Sequence, residues 1–169
     1  MIRSLSFDNI LNKKYEYIPF SKDFMDAFGK RQKSGAWIVY GKSGQGKTSF
    51  TFQLAREFDR IGYKVLFISL EMGVESDFRD SLLGFMNSSR SGMLFWDEVP
   101  TFDEFDEFLG KQRSPDVVII DSLQSLEGEM DATAKQLVEL RKKYRKKIFV
   151  YISHVEGKEV QGTVAYRGK

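Results

Sequence analysis

An α/β fold, with a mainly parallel sheet flanked by helices, is what this sequence predicts, and three observations carry the prediction. Short continuous apolar runs, "AWIVY", "KVLFIS", "DVVIID" and "KIFVYIS", recur along the chain, as expected of strands buried on both faces. Segments with apolar residues at helical spacing lie between them, such as Phe50, Leu54 and Phe58, then Phe78, Leu82 and Phe85. Polar residues fall immediately after the strands: Gly41 to Thr48, Glu71, Asp121 with Ser122, and Ser153 with His154. In open parallel sheets that edge is where ligands bind.

Residues 1–34 read as an amino-terminal extension or brace: a polar and aromatic stretch without periodicity to Pro19, then a short helix capped by Ser21, carrying Phe24, Met25 and Phe28 and stopped near Gly29. Residues 35–169 read as one globular unit. "AWIVY" is the first strand, followed by a glycine-rich turn and a helix from about Lys47 to Ile61, which Gly62 ends. "KVLFISLE" is the second strand and "ESDFRDSLLGFMN" the second helix of this unit; "MLFW" is a brief third strand. "TFDEFDEFLGKQR" opens on a capping box, Thr101 with Glu104, and puts Phe102, Phe105 and Leu109 on one helical face. "DVVIID", the amphipathic helix "ATAKQLVELRKKY" and "KIFVYIS" complete the alternation.

Composition narrows the chemistry. With 169 residues and 41% hydrophobic content the chain can bury one substantial core. Its 26 basic and 24 acidic side chains leave a formal charge of +2, so no bulk field selects nucleic acid or membrane as partner. The absence of cysteine excludes disulfides, thiolate metal sites and a cysteine nucleophile, and a single histidine argues against a histidine metal centre. No run approaches the roughly 20 apolar residues of a membrane span and the start lacks a secretory leader, so a cytoplasmic protein is expected.

The segment "GKSGQGKT", Gly41 to Thr48, fits G-x-x-x-x-G-K-[ST] with a strand before it and a helix after it. Such a loop wraps its N–H groups around a phosphate, and the helix dipole adds positive charge at the same place. Gly41, Lys42, Ser43, Gly44, Gln45, Gly46, Lys47, Thr48 and Ser49 are the expected nucleotide-binding residues. Lys47 would reach the β- and γ-phosphates and Thr48 would coordinate Mg²⁺. An ordinary strand-to-helix turn explains the glycines but not the Lys-Thr pair. Asp121, ending "VVIID", is either a second Mg²⁺ element or a loop acid that caps a helix. Glu71 is either the carboxylate that polarises water for in-line attack or a solvated acid. His154 either contacts the γ-phosphate or satisfies a local hydrogen bond.

Taken in order, these residues resemble the RecA-like P-loop ATPases over roughly residues 35–162. "VLFISLEM" is similar to a strand and turn of DnaB-type helicase domains, "VVIIDSLQSL" to the Walker B segment of RadA and RecA, and "ISHVEGKEVQG" to a histidine-bearing RadA segment. The resemblance implies ATP and Mg²⁺ as cofactors, Glu71 as catalytic base, Lys47 and His154 as further catalytic groups, and Thr48 with Asp121 at the metal. It also implies a homo-oligomer with ATP at subunit interfaces, single-stranded DNA or a replication or recombination protein as partner, and a role in DNA replication, recombination or repair.

Departures from the family pattern bear on that expectation. RecA-like cores continue for several more strands and supply a cationic finger to the neighbouring subunit, so the chain reads as truncated or reduced; Arg167 and Lys169 are finger candidates or a plain basic tail. The DNA-facing loops would correspond to Ser125–Asp131 and Val155–Gly162. The first, "SLEGEMD", is acidic, which disfavours phosphate contact. The basic run "RKKYRKK", residues 141–147, is a solvated helix end or a nucleic-acid patch. The alternative function is a weakly hydrolysing ATP-dependent regulator or loader of a protein partner. A small-molecule kinase would need an arginine-rich lid that the sequence lacks.

Overall fold

A computed structural model describes residues 4–71, 73–85, 92–96, 98–156 and 159–160. The chain divides into a small unit ending at Lys33 and a larger one beginning at Ser34.

In the small unit, α1 (Phe7–Leu11) forms where the sequence shows no periodicity, because Ser6 and Asn9 cap it reciprocally: the Asn9 N–H donates to Ser6 Oγ and the Ser6 N–H donates to Asn9 Oδ1. The expected second helix, α2 (Lys22–Phe28), follows Ser21 and ends at Gly29, whose φ of 65° suits a residue without Cβ. Ser21 occupies the cap position without a side-chain capping bond. Phe20, just before the helix, lies in a row with Phe24 and Phe28 of α2, with ring centroids 5.6 Å apart for Phe20–Phe24 and 5.8 Å for Phe24–Phe28.

The large unit runs β1 (Gly35–Gly41), α3 (Lys47–Arg60), β2 (Val65–Ser69), α4 (Ser76–Phe85), β3 (Leu94–Phe95), α5 (Phe102–Gly110), β4 (Val117–Asp121), a 3-10 turn Leu123–Ser125, α6 (Leu126–Met130), α7 (Ala134–Lys143), β5 (Ile148–Glu156) and β6 (Glu159–Val160). Five strands pair in parallel in the order β1-β5-β4-β2-β3, and β6 pairs antiparallel with β5. The α/β reading, the mainly parallel sheet and the alternation of elements hold. The central strands are apolar on both faces because each face is covered. Leu66, Ile68, Val118, Ile120, Phe149 and Tyr151 join one core with Phe105 and Leu109 of α5, Leu126 and Met130 of α6, and Leu137 and Leu140 of α7. On the alternate positions, Phe67 meets Phe52 of α3 at 5.1 Å and Phe78 of α4 at 5.7 Å between ring centroids. Each such side chain contributes about 1.5–3 kcal/mol by leaving water. The Thr101–Glu104 capping box is present at α5, and Thr133 with Gln136 makes an equivalent one at α7 that the sequence reading did not anticipate.

Three expectations about the strand ends need correction. Ser125–Asp131 is not an open loop: it folds as the 3-10 turn and α6, because Leu126 and Met130 carry it into the core while Glu127 and Glu129 stay exposed. β5 does not stop before His154 but continues to Glu156, and β6 pairs antiparallel with it, so Val155, Glu156, Glu159 and Val160 of the supposed loop Val155–Gly162 are strand residues. Positions 157, 158, 161 and 162, like Arg167 and Lys169, lie outside the described residues. Among the described residues no helix is long and apolar enough to cross a membrane.

Candidate active site

Strand order decides what the strand ends can do together. Along the carboxyl edge stand, in sequence, β1 with the glycine loop, β5 with His154, β4 with Asp121 and β2 with Glu71 two residues beyond its end. Register keeps them level: Gly41 pairs with His154 and Ser69 with Asp121.

The loop between β1 and α3 bends through Gly44 and Gly46, at φ 76° and 73°, conformations that glycine adopts without steric cost. Gln45 folds back so that its Oε1 accepts from the Lys42 N–H at 2.8 Å, closing the loop on itself. Lys47, the first residue of α3, is buried; its Nζ donates to the Lys42 carbonyl at 2.9 Å and faces His154 Nδ1 at 3.3 Å. Next along the helix, Thr48 Oγ1 donates to Asp121 Oδ2 at 2.9 Å. On the far side of His154, its Nε2 lies 3.1 Å from Glu71 Oε2. With the Lys47 ammonium donating to Nδ1, the Nε2 carries the proton and donates to Glu71. Lys47, His154 and Glu71 thus form one line, and Thr48 with Asp121 a second beside it. Lys42, Ser43, Gly44, Gln45 and Gly46 stay exposed around them, and Ser49 is half-buried on α3.

Electrostatics distinguish the two acids. Burial pushes the Asp121 carboxyl above its ordinary value; the Thr48 hydrogen bond opposes this, the Glu71 charge reinforces it, and His154 and Lys47 oppose it. The Glu71 side chain is about half exposed, at 52%, and keeps access to water. A hydroxyl and a carboxylate oxygen within hydrogen-bond distance are hard donors that suit Mg²⁺, which takes one or two protein ligands and completes its shell with water and phosphate oxygens. Among the described residues no group of three His, Cys, Asp or Glu side chains forms a fuller cage. The donor set fits Mg²⁺ and not a structural zinc.

Sequence reasoning missed Gln124. It sits in the 3-10 turn after β4, where its Nε2 donates to Ser153 Oγ at 3.1 Å and to the His154 carbonyl at 3.3 Å. Its Oε1 and the neighbouring Ser122 Oγ are buried without a hydrogen-bond partner among the described residues. No sequence signal short of the strand order could have singled it out, since thirty positions separate it from His154.

No protein-family model matches this chain, and no curated protein matches it by sequence. Solved structures do. The chain is similar to the flagellar accessory protein FlaH from Methanocaldococcus jannaschii, with a TM-score of 0.59 and 19% identity over 83% of this chain and 71% of that one. It is also similar to a second structure, described as an ATPase domain, with a TM-score of 0.58 and 13% identity over 89% of this chain and 68% of that one. A DnaB-like replicative helicase, described together with its interactions with primase, matches with a TM-score of 0.53 and 16% identity; the overlap spans 73% of this chain and 39% of that one. With the parallel sheet, the glycine loop and the order of strand ends, these likenesses identify the fold of the chain as that of the RecA-like P-loop ATPases.

Proposed function

We propose that the chain binds MgATP in the cradle from Gly41 to Ser49 and hydrolyses it. The supporting observation is the line of side chains from four neighbouring strand ends: Lys47 against His154, His154 against Glu71, and Thr48 against Asp121. The amides of the loop and the start of α3 bind the phosphates, and Lys47 gives up its Lys42 carbonyl and His154 contacts to reach them. Thr48 and Asp121 would hold Mg²⁺, which would supply positive charge to offset that of the phosphates. Glu71 orients water and takes its proton. His154, touching both Lys47 and Glu71, takes the position of a γ-phosphate sensor. The domain reading, an extension over residues 1–34 and an ATPase unit over 35–169, belongs to the same proposal. So does action on single-stranded DNA in replication, recombination or repair as a cytoplasmic homo-oligomer.

One observation favours a second reading, a weakly hydrolysing switch that regulates or loads a protein partner: Glu71 is engaged by His154 rather than free. Turnover separates the two. Glu71→Gln should lower steady-state ATP hydrolysis by about 10²–10⁴-fold, the range for loss of a general base, while leaving nucleotide binding intact. Unchanged turnover would remove Glu71 from catalysis, and a wild-type chain that binds ATP without turning it over would select the switch.

A further inference from the structure

At the opposite edge of the sheet from the glycine loop lies a cavity of about 320 Å³, lined by Ser34, Gly35, Arg141, Lys142, Arg145 and Lys147. Gly35 opens β1 and Lys147 immediately precedes β5, whereas Gly41 and His154 mark the other ends of the same two strands. At about 3.3 Å per residue, the two edges are about 20 Å apart. The cavity is separate from the candidate active site.

Four of its six lining residues are cationic and none is acidic. Among the described residues none of the four forms an ion pair, in contrast to Lys143 in the same run, which is held by Asp106. Arg145 spends only its Nε, donating to the Lys142 carbonyl at 3.1 Å, which leaves the two terminal nitrogens of its fork available. Lys147 is oriented by Ser114 Oγ at 2.8 Å and the Pro115 carbonyl. Its partial burial lowers the ammonium, with Asp116 opposing, and an anion nearby would relieve that cost. Complementing the carboxyl end of α7 needs only cations in its last turn. It does not require Arg145 and Lys147, which lie past the helix end at Lys143, nor a concavity between them and the start of β1.

We infer that this cavity binds the phosphodiester backbone of single-stranded nucleic acid. Guanidinium forks match phosphate oxygens two at a time. Arg141 in the last turn of α7 and Arg145 just past its end both line the cavity, so one concavity presents two guanidinium groups. This assignment rests on the reading of nucleic acid as a partner, but not on ATP hydrolysis, and it puts the strand at the amino edge of the sheet rather than beside the acidic Glu127 and Glu129.

The test is fluorescence anisotropy of a labelled oligodeoxythymidine with the full chain, without nucleotide, across a salt titration. The wild type should bind with a steep salt dependence. Arg141→Ala with Arg145→Ala should weaken binding by about tenfold or more at about 0.1 M salt and flatten the log–log slope by about 1.4, as expected for two lost phosphate contacts. Lys142→Glu, at an exposed position, should weaken it severalfold, guarding against misfolding of the double variant. ATP hydrolysis without DNA should be unchanged in both variants. The assignment is overturned if the wild type ignores the oligomer, if folded variants bind it as well as the wild type does, or if pyrophosphate displaces it at equal phosphate concentration. Cavity-dependent binding by a chain that never hydrolyses ATP would sink the hydrolysis proposal and leave this one standing.

Discussion

Lys47 shows how much a single residue position can hold. Its ammonium is buried and satisfied internally by a carbonyl and an imidazole, so the proposed nucleotide binding would exchange those contacts for phosphate oxygens rather than for bare solvent. Lys47→Ala should abolish nucleotide-dependent stabilisation while the empty protein still melts cooperatively; a thermal-shift titration with MgATP reads both. Gln124 acts one step removed, through the His154 carbonyl and Ser153 Oγ. As a positioning residue for His154, its replacement by Leu should lower kcat about tenfold with KM nearly unchanged, whereas purely structural damage would lower the melting temperature and move both constants together. The glycine loop and the identities of Glu71, Asp121 and His154 were legible in the sequence. Gln124 was not, because its meaning comes from a strand that lies next to it only after folding.

At the scale of elements, α5 and α7 are tied by one small network. The Tyr144 hydroxyl lies 2.7 Å from the Asp106 carbonyl and 2.8 Å from Asp106 Oδ1, its proton shared between these two acceptors; the Asp106 carboxylate also accepts from Lys143 at 2.6 Å, and Lys143 and Lys147 lie over the Tyr144 ring. Tyr144→Phe should cost about 1 kcal/mol, a shift of about 2–4 °C in melting temperature for a chain of this size. Burial raises the Asp106 carboxyl, but the hydrogen bonds from Lys143 and Tyr144 and the Lys143 charge outweigh it, so its pKa falls below the ordinary value. A carboxylate depressed in this way contributes stability above its unfolded pKa of about 3.9 and loses it as the pH drops through the folded value. Melting curves of Asp106→Asn and wild type should therefore differ at neutral pH and converge on acidification below about pH 4. The acidic segment after β4 is the contrasting case. Its charges suggest a solvated loop, yet Leu126 and Met130, four apart, bury one side and make it α6. The sequence pattern was present but too short to outweigh the acidic composition.

Over the large unit as a whole, the proposed function links stability to ligand binding at one sheet edge. Under the proposed reading, MgATP at about one hundred times its dissociation constant should stabilise the protein by about 2.7 kcal/mol. The stabilisation should be lost on omission of Mg²⁺ or in Thr48→Ala, as measured by thermal shift at fixed protein concentration. Apolar runs and helical spacing between them were sufficient for the fold class, because strands covered on both faces have no polar side to show. Strand order was a different matter. β5 comes last of the parallel strands in the chain but lies between β1 and β4, and that insertion puts His154 between Lys47 and Glu71.

By itself, then, the sequence determined the α/β alternation, the phosphate-compatible turn and the types of side chain at each strand end, all local properties of hydrophobic period and glycine placement. Only the tertiary structure decided which ends are neighbours, that Thr48 faces Asp121, and that cations without ion pairs among the described residues surround a cavity at the other edge. These depend on pairings between residues tens of positions apart, which parallel hydrogen bonding and two-sided burial select jointly and no short window of sequence contains.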